Sequence, residues 1–518
     1  MCAVVGAVVS AGLSLGPATA APATTAPVDC WDSVRSDLDG GGPDLVVGLP
    51  SYDLPGKPNA GAIVLHSNVG TAGSTEPSAP TTRTLITADD LTGLSSQAGA
   101  RFGASATIWN DGGDCADVLV GAPGQAVGGV NGAGRVYRVA GSTTGLHDVV
   151  DVLDEESVDG AGGAQAGAGF GESVAVEDGS MIAIGAPRRN VGTAVNAGHV
   201  VRLDYRVSTT PEVLVVRQGN GANAPERGDR FGEVLDMYGT AEGPVLLVGT
   251  PREDINGRTD AGAVALQPPA GQLSLVGQDS PGAAGAAESG DRFGAALDSY
   301  STFDVDHPVI KVAIGVPGED IGSTPGTGAV AFAEIDLFVP GQDPVSPLAG
   351  TSRTITQATP GVTGADETGD AFGSAVVVGE LGQERLGLAV GAPGEDLGSV
   401  AGAGRVTFLL IDPVTAAPTG PHPGAWDQGS PGVPGVAERG DAFGSALSGV
   451  QLTTIQDDED VVWALVLATV PGEDVGSVAD AGAATVGGGP GHVAVSLVSP
   501  NAQSGAGRGM APLRMLIG

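Results

Sequence analysis

The chain has 518 residues with 60 acidic against 23 basic side chains, so its formal net charge at pH 7 is −37. Such a charge repels phosphate backbones and anionic lipid surfaces, and we expect no nucleic-acid partner. Hydrophobic residues make up 41% of the chain, and glycine occupies 87 positions. A disordered chain would be poorer in apolar residues, so the sequence predicts a folded core.

Residues 1–20 are predicted to be a secretory signal peptide. Residues 4–15 form an apolar run of small side chains, and Ala18, Thr19 and Ala20 match the small-x-small pattern that precedes cleavage. No Lys or Arg precedes the run, which departs from the usual signal. We therefore expect a secreted, extracellular protein whose mature chain begins at Ala21. No other segment approaches the ~18 apolar residues that a membrane span needs.

Two cysteines remain after removal of the signal. Cys30 lies in the N-terminal segment, residues 21–36, and Cys115 lies in the second repeat described below. In an exported protein an even pair of cysteines predicts a disulfide, here one that ties the N-terminus to that repeat. Such a bond stabilises the fold by at most about 4–5 kcal/mol. A catalytic or metal-binding thiol is the alternative, but neither cysteine has a histidine near it in sequence.

One pattern recurs from residue 37 to the end of the chain. It consists of Gly-Asp-x-Phe-Gly, an apolar run, a polar hinge, a second apolar run, Gly-Ala-Pro, an acidic loop and Ala-Gly-Ala-x-Val. The Phe-Gly pair begins at Phe102, Phe170, Phe231, Phe293, Phe372 and Phe443. The Gly-Ala-Pro slot or a close variant of it begins at Gly48, Gly121, Gly185, Gly249, Gly315, Gly391 and Thr469. Seven slots in register predict seven structural repeats.

Each repeat is predicted to contain four short strands. In the sixth repeat the β-branched runs are residues 374–378, 386–390 and 405–411, and fourth strands are predicted at residues 213–217, 272–276 and 353–357. Seven such units predict an all-β fold, a seven-bladed β-propeller of four-stranded antiparallel blades over residues 37–518. A series of separate small β domains is the alternative, although each unit alone has little apolar surface to bury.

The first repeat is incomplete at its start. It begins at the hinge, at Asp37, with no Phe-Gly pair and no first strand before it. Residues 504–517 resemble Gly-Asp-x-Phe-Gly followed by an apolar run, with Arg508 at the Phe position. We predict that a C-terminal strand completes the first blade and closes the ring.

The combination of Phe-Gly, hinge, Gly-Ala-Pro and Ala-Gly-Ala-x-Val resembles the FG-GAP repeat of integrin α-subunit propellers and of secreted bacterial proteins. The resemblance covers about residues 37–518. It implies a seven-bladed propeller, and in integrins the face opposite the hinge loops binds the ligand.

The resemblance also implies calcium as a cofactor. The family's hinge often carries Asp-x-Asp-x-Asp-Gly-x-x-Asp, and spaced carboxylates supply the oxygen ligands that Ca²⁺ takes. In this chain Gly41 stands at the third acidic position of the first hinge, and hinges four to six lack the pattern. The candidate metal ligands are Asp37, Asp39 and Asp44 in the first hinge, and Asp111, Asp114 and Asp117 in the second.

A second acidic set is more regular and is concentrated in repeats four to seven. An Asp precedes Phe-Gly by two residues, and a Glu-Asp pair follows the Pro slot. The candidates on this ligand face are Glu253, Asp254, Asp291, Glu319, Asp320, Asp370, Glu395, Asp396, Asp441, Glu473 and Asp474, and Asp229 occupies the corresponding position in repeat four. The start of a first strand and the end of a second lie at the same edge of a meander, so these groups are expected on one face, opposite the hinges. The functional interpretation is a cation site or a rim for a basic or sugar ligand, and a purely structural role, accepting backbone N–H bonds in turns, is the alternative.

Three classes of function fit the sequence. The first is an extracellular binding or adhesion module for a protein or a glycan. The second is a secreted hydrolase of the phospholipase type, and the third is a structural envelope protein. The chain has neither an H-E-x-x-H nor a G-x-S-x-G motif, and the blades use nearly all of the mature chain, so we expect a protein without catalytic residues rather than an enzyme.

Overall fold

The fold was obtained as a computed structural model. It describes residues 37–40, 44–69, 80, 82–110, 115–158, 160–177, 179–208, 210–219, 224–240, 243–269, 271–302, 309–336, 352–380, 386–412, 414–419, 424–433, 435–456, 459–487, 495–498, 503 and 511–512. Seven four-stranded antiparallel sheets form the blades of a propeller, which confirms the predicted fold class. The described part of the chain contains no helix long and apolar enough to cross a membrane.

Within the described residues, twenty-seven strands follow one another in chain order through the seven blades. Blades 1 and 2 contain β1 (Leu45–Leu49), β2 (Ala62–Ser67), β3 (Thr82–Ile86), β4 (Ser105–Trp109), β5 (Asp117–Ala122), β6 (Arg135–Val139) and β7 (Val149–Leu153), with a 3₁₀ turn at Ala88–Asp90 between the two blades. Blades 3 and 4 contain β8 (Ser173–Glu177), β9 (Met181–Ala186), β10 (His199–Asp204), β11 (Glu212–Val216), β12 (Val234–Tyr238), β13 (Val245–Thr250), β14 (Ala263–Gln267) and β15 (Ser274–Val276). Blades 5 to 7 contain β16 (Ala296–Thr302), β17 (Val309–Val316), β18 (Ala329–Asp336), β19 (Arg353–Ile355), β20 (Ala375–Glu380), β21 (Leu386–Ala392), β22 (Arg405–Ile411), β23 (Gly424–Trp426), β24 (Leu447–Gln456), β25 (Glu459–Val470), β26 (Ala483–Gly487) and β27 (Val495–Val498).

A last strand, β28 (Ala511–Pro512), belongs to blade 1. It pairs antiparallel with β1, so that Val47 lies opposite Pro512 and Gly48 opposite Ala511. The first sheet therefore has the order β28-β1-β2-β3, and it joins the two ends of the propeller chain. The rest of the predicted C-terminal strand, including Arg508, lies outside the described residues.

The observed strands lie close to the predicted runs. β22 has the predicted bounds, and β20 begins one residue later and ends two residues later than predicted. The outer strands β15 and β19 have three residues each, fewer than the predicted five. An outer strand pairs on one side only, so it ends where the chain turns towards the next blade.

The recurring Phe-Gly and Ala-Gly-Ala segments join neighbouring blades. Gly328, in the loop before β18, forms a parallel bridge with Phe372, which stands before β20 of the next blade. The Phe372 N–H donates to the carbonyl oxygen of Thr327 at 2.9 Å. The same bridge recurs at Phe102, Phe170, Phe231, Phe293 and Phe443. Both sequence motifs therefore belong to one contact between blades.

The core lies between adjacent blades rather than within one. The six Phe rings of the Phe-Gly pairs are at most 1% exposed. Phe293, for example, packs in one cluster with Val264 of blade 4 and Ile314 of blade 5. Each such side chain contributes about 1.5–3 kcal/mol by burial. Because every ring needs aliphatic side chains from two blades, a single blade cannot build this core.

The propeller has two faces with different loops. The hinges between first and second strands, and the loops between third and fourth strands, lie on the hinge face. The loops between second and third strands, and the crossings from one blade to the next, lie on the opposite face, called the crossover face below. The antiparallel order of every sheet imposes this division.

Candidate cation sites and the acidic crossover face

Three carboxylates meet in the loop that enters β1 on the hinge face. Asp37, Asp39 and Asp44 each offer one oxygen, and these oxygens lie within 4.8 Å of one another. Asp37 and Asp44 are buried, and Asp39 is partly buried. This is the cluster that the first hinge sequence predicted as a metal site.

Backbone N–H groups and the Ser67 hydroxyl hold the three acids in place. The Leu38 N–H donates to Asp44 Oδ2 at 2.7 Å, and the Gly40 N–H donates to Asp37 Oδ1 at 2.6 Å. Asp39 Oδ2 accepts the Ser67 hydroxyl at 2.5 Å. The loop therefore folds around its own acids, and the end of β2 supplies the remaining support.

The electrostatics of this cluster favour a cation. Burial, with repulsion from Asp39 and Asp37, raises the pKa of Asp44 to about 7. Burial and repulsion from Asp37 also raise the pKa of Asp39. Asp39 Oδ1 is buried and has no hydrogen-bond partner among the described residues. Three oxygen donors, one of them unsatisfied, fit an oxygen-preferring ion such as Ca²⁺.

The second hinge is only partly described. Asp111 and Asp114 lie outside the described residues. Asp117 opens β5, and its carboxylate accepts the Arg138 Nε–H at 2.5 Å and the Gly141 N–H at 3.3 Å. Cys115 is disulfide-bonded, and Cys30 lies outside the described residues.

On the crossover face, the second member of each Glu-Asp pair caps its own loop. These four aspartates are exposed, and each accepts the backbone N–H of the residue six positions later. The N···O distances are 2.9 Å for Asp254, 2.7 Å for Asp320, 2.8 Å for Asp396 and 2.9 Å for Asp474. The structural role considered from the sequence therefore describes these hydrogen bonds well.

The aspartates that precede Phe-Gly are buried instead. None is more than 2% exposed, and each accepts the backbone N–H of the Glu three residues earlier. The N···O distances are 2.5 Å at Asp229, 2.5 Å at Asp291, 2.9 Å at Asp370 and 2.5 Å at Asp441. Each of them lies at the boundary between two blades, beside the first Glu of the pair that follows the Pro slot.

At each of these boundaries a glutamine, which the sequence did not single out, contacts the Glu. It follows the outer strand of the preceding blade by two residues, and its Nε2 donates to Oε2 of the Glu. The distance is 2.6 Å both for Gln278 with Glu319 and for Gln357 with Glu395. The other pairs are Gln218 with Glu253 and Gln428 with Glu473. In the sequence, each glutamine could have been noticed only by its constant position two residues after the outer strand. That it lies beside the acids follows from the fold alone.

Burial raises the pKa of these paired acids. Burial, followed by repulsion from Asp229, raises the pKa of Glu253 to about 8, and burial raises that of Asp229 to about 6. Burial raises the pKa to about 7 at Glu319, Asp370 and Glu473, and it also raises the pKa of Asp291, Glu395 and Asp441. Blade 6 differs because Arg405 Nη1 lies 2.5 Å from Glu395 Oε1 and partly neutralises it.

Blade 3 builds the same boundary with the charges exchanged. Glu155 stands at the glutamine position, Arg189 at the Glu position and Ala168 at the Asp position. Arg189 Nη1 donates to Glu155 Oε2 at 2.6 Å and to the Gly163 carbonyl oxygen at 2.9 Å. A guanidinium cation therefore occupies this boundary in blade 3.

No protein-family model and no curated protein sequence matches this chain. Among solved structures, it is similar to the periplasmic gluconolactonase PpgL of Pseudomonas aeruginosa, with a TM-score of 0.42, 11% identity and coverage of 89% of this chain and 98% of that one. It is also similar to a thermostable family-43 glycoside hydrolase, with a TM-score of 0.31, 11% identity and coverage of 65% and 96%. The exo-β-1,3-galactanase 1,3Gal43A of Clostridium thermocellum matches with a TM-score of 0.30, 10% identity and coverage of 64% and 60%. No activity is carried over from these likenesses to this chain.

Proposed function

We propose that this protein is a secreted binding module of the FG-GAP type, which captures a basic extracellular protein or a glycan on its crossover face and holds Ca²⁺ in the first hinge. One observation carries the proposal. Four exposed aspartates, one on each of four successive blades, stand on short loops of a rigid ring. Loops held by a rigid scaffold are where binding residues concentrate.

The net charge of −37 sets the chemistry of the ligand. Exposed carboxylates attract cationic groups and accept hydrogen bonds from hydroxyls, so a basic protein surface or a sugar suits them. The first hinge lies on the opposite face, and calcium there would support blade 1 rather than touch the ligand. An adhesion role and the likeness to integrin α-subunits belong to the same proposal.

The acidic face can be tested without loss of its loops. Asparagine keeps the Oδ1 acceptor that caps each loop and removes the charge, so Asp254→Asn, Asp320→Asn, Asp396→Asn and Asp474→Asn are combined in one variant. The mature chain from Ala21 and this variant are incubated with immobilised basic proteins, wall polysaccharides and phospholipids, and both retention and released product are measured. We expect retention by wild type, at least a tenfold loss in the variant, and no released product.

Asp412→Asn is the matched control, because Asp412 Oδ1 caps a loop of the hinge face and accepts the Val414 and Thr415 N–H groups at 2.9 and 2.8 Å. Equal losses in the control and in the fourfold variant would assign the effect to net charge alone. Turnover of any panel member would overturn the binding-module proposal in favour of a hydrolase.

A further inference from the structure

The buried Asp and the first Glu of the pair change together from blade to blade, whereas the exposed loop cap is also present in blade 1, as Asp53. Blades 4 to 7 each carry a Glu three residues before the buried Asp, the buried Asp itself, and the Glu-Asp pair. At the same four positions blade 2 has Gln97, Ala100, Gln125 and Ala126, and blade 3 has Gln165, Ala168, Arg189 and Asn190. Acids that served only as separate turn caps would not need to be lost as a set. The buried Asp and the first Glu of the pair therefore act on something in common.

Blade 3 shows what a boundary without these acids contains. The Arg189 guanidinium is surrounded by oxygen atoms, namely the Glu155 carboxylate and the carbonyls of Gly162 and Gly163. A cation coordinated by oxygen thus occupies the place where the other blades bring a Glu and an Asp together. In blade 3 the cation is part of the chain.

In the acidic blades a buried oxygen is left over at this place. Oε1 is buried without a hydrogen-bond partner, within the part of the chain that the structure describes, in Gln218, Gln278, Gln357 and Gln428. These glutamines are at most 6% exposed, and their amides are directed at the acids because Nε2 donates to the Glu. In blade 7 the buried Asp441 Oδ1 also lacks a partner. Buried polar atoms without partners are costly, so their recurrence calls for a ligand.

We propose that blades 4, 5 and 7 each bind one divalent, oxygen-preferring cation of the calcium class at the boundary with the preceding blade. The ligands are the buried Asp, the first Glu of the pair and the glutamine carbonyl oxygen. A half-turn of the amide exchanges Nε2 for Oε1, so the group that donates to the Glu in the ion-free protein becomes a third oxygen ligand. Arg405 serves as a built-in counter-ion in blade 6, as Arg189 does in blade 3.

Each ion would cross-link two blades. The glutamine comes from the end of one blade, whereas the Asp and the Glu come from the next, up to 45 residues later in the chain. A buried Asp and a Glu beside it repel, and a divalent ion replaces that repulsion with attraction to both. The sites are separate from the first hinge, which lies on the opposite face.

The test converts an acidic blade into the arrangement of blade 3. Gln278→Glu, Asp291→Ala and Glu319→Arg are combined in blade 5, and Gln428→Glu, Asp441→Ala and Glu473→Arg in blade 7. Gly285 and Gly435 border the two sites as Gly162 borders Arg189, so the variants keep a glycine beside the introduced guanidinium. Bound calcium per chain is measured by elemental analysis after equilibrium dialysis of the mature protein at pH 7.5.

We expect the blade 5 variant to lose one ion per chain and the combined blade 5 and blade 7 variant to lose two. Asp279→Asn is the control, since this exposed acid adjoins Gln278 and accepts the Ala287 N–H at 3.1 Å; it should lose none. If a converted blade does not fold, judged by circular dichroism, Glu319→Gln replaces it and should weaken one site at least tenfold. An unchanged ion count in the folded variants overturns the proposal.

The hinge site is read out separately with Asp44→Asn. If wild type binds a single ion that Asp44→Asn removes, the boundary sites are refuted and the hinge calcium stands. If ions are lost only from the converted blades, the boundary sites stand and the hinge calcium fails.

Discussion

At the scale of single residues, the short loops of the crossover face contain both acids that stabilise the loop and acids that are candidates for binding. The Glu-Asp pair illustrates this, because its two neighbouring acids do different work. Asp320 is exposed and caps its loop, whereas Glu319 turns into the blade boundary and meets Gln278. The acidic dipeptide thus combines an exposed loop cap with a partly buried charge, and only the second needs a counter-ion.

Gly328 should tolerate no side chain. Its φ is +82°, and a Cβ there would lie far inside van der Waals contact with the backbone of Phe372. We expect Gly328→Ala to lower the free energy of unfolding by at least about 2 kcal/mol, measured by urea titration, because left-handed strain and a backbone clash add up.

Gly322 provides the matched control in the same loop. Its φ is +66°, but a Cβ there meets nothing within 4 Å. Gly322→Ala should therefore cost only the strain term, about 1–2 kcal/mol. Equal losses in the two variants would show that the contact with Phe372 is not tight.

At the scale of the elements, the first blade is unusual because its innermost contact comes from the far end of the chain. β28 pairs with β1, and side chains of blades 1 and 7 share one core cluster, which includes Val47, Val64 and Leu467. Closure of the ring therefore uses both strand pairing and apolar burial. A propeller that lost the pairing would keep only the second.

Deletion of residues 511–518 should lower the melting temperature by several degrees. The deletion removes the strand partner of Val47 and Gly48 and leaves one side of β1 unpaired. A loss of 1 kcal/mol or more measured by calorimetry is the expected result, and an unchanged melting curve would show that β28 does not contribute to closure. Adding the deleted segment back as a peptide should restore part of the loss.

At the scale of the whole molecule, buried acids set an unusual dependence of stability on pH. The folded-state pKa values of Asp44, Glu253 and Glu319, about 7, 8 and 7, lie above the ordinary values of 3.8 and 4.5. Between these limits the folded state binds more protons than the unfolded state, so stability falls as pH rises. The contribution of these groups is complete at about pH 4 and is lost as the pH rises through about 7 for Asp44 and Glu319 and about 8 for Glu253.

We therefore expect the chelator-treated protein to melt at a higher temperature at pH 5 than at pH 8. Added Ca²⁺ should reduce the difference, because ions replace the lost protons. Salt at about 0.5 M screens the repulsion between surface charges but has little effect on buried groups. The difference in melting temperature between pH 5 and pH 8 should therefore persist at this salt concentration. A melting temperature that rises from pH 5 to pH 8 in chelator would contradict the assigned burial of these acids.

The sequence by itself determined the number of blades, most strand positions and the division of loops between two faces. These properties follow from the recurrence of Phe-Gly, Gly-Ala-Pro and alternating apolar runs, which are local in the chain. It also predicted the carboxylate cluster of the first hinge, since Asp37, Asp39 and Asp44 lie within eight residues.

The tertiary structure alone decided which acids are buried and what they meet. Gln218 and Glu253 are 35 positions apart, and their contact depends on how one blade packs against the next. In blade 3, Glu155 replaces the glutamine and Arg189 replaces the Glu. The sequence does not show that these two changes belong together, because only the structure shows that the two side chains are in contact. The sequence period predicts the structure within a repeat because the residues concerned are close in the chain. The contacts between repeats involve side chains that are distant in the chain and meet only in the closed ring.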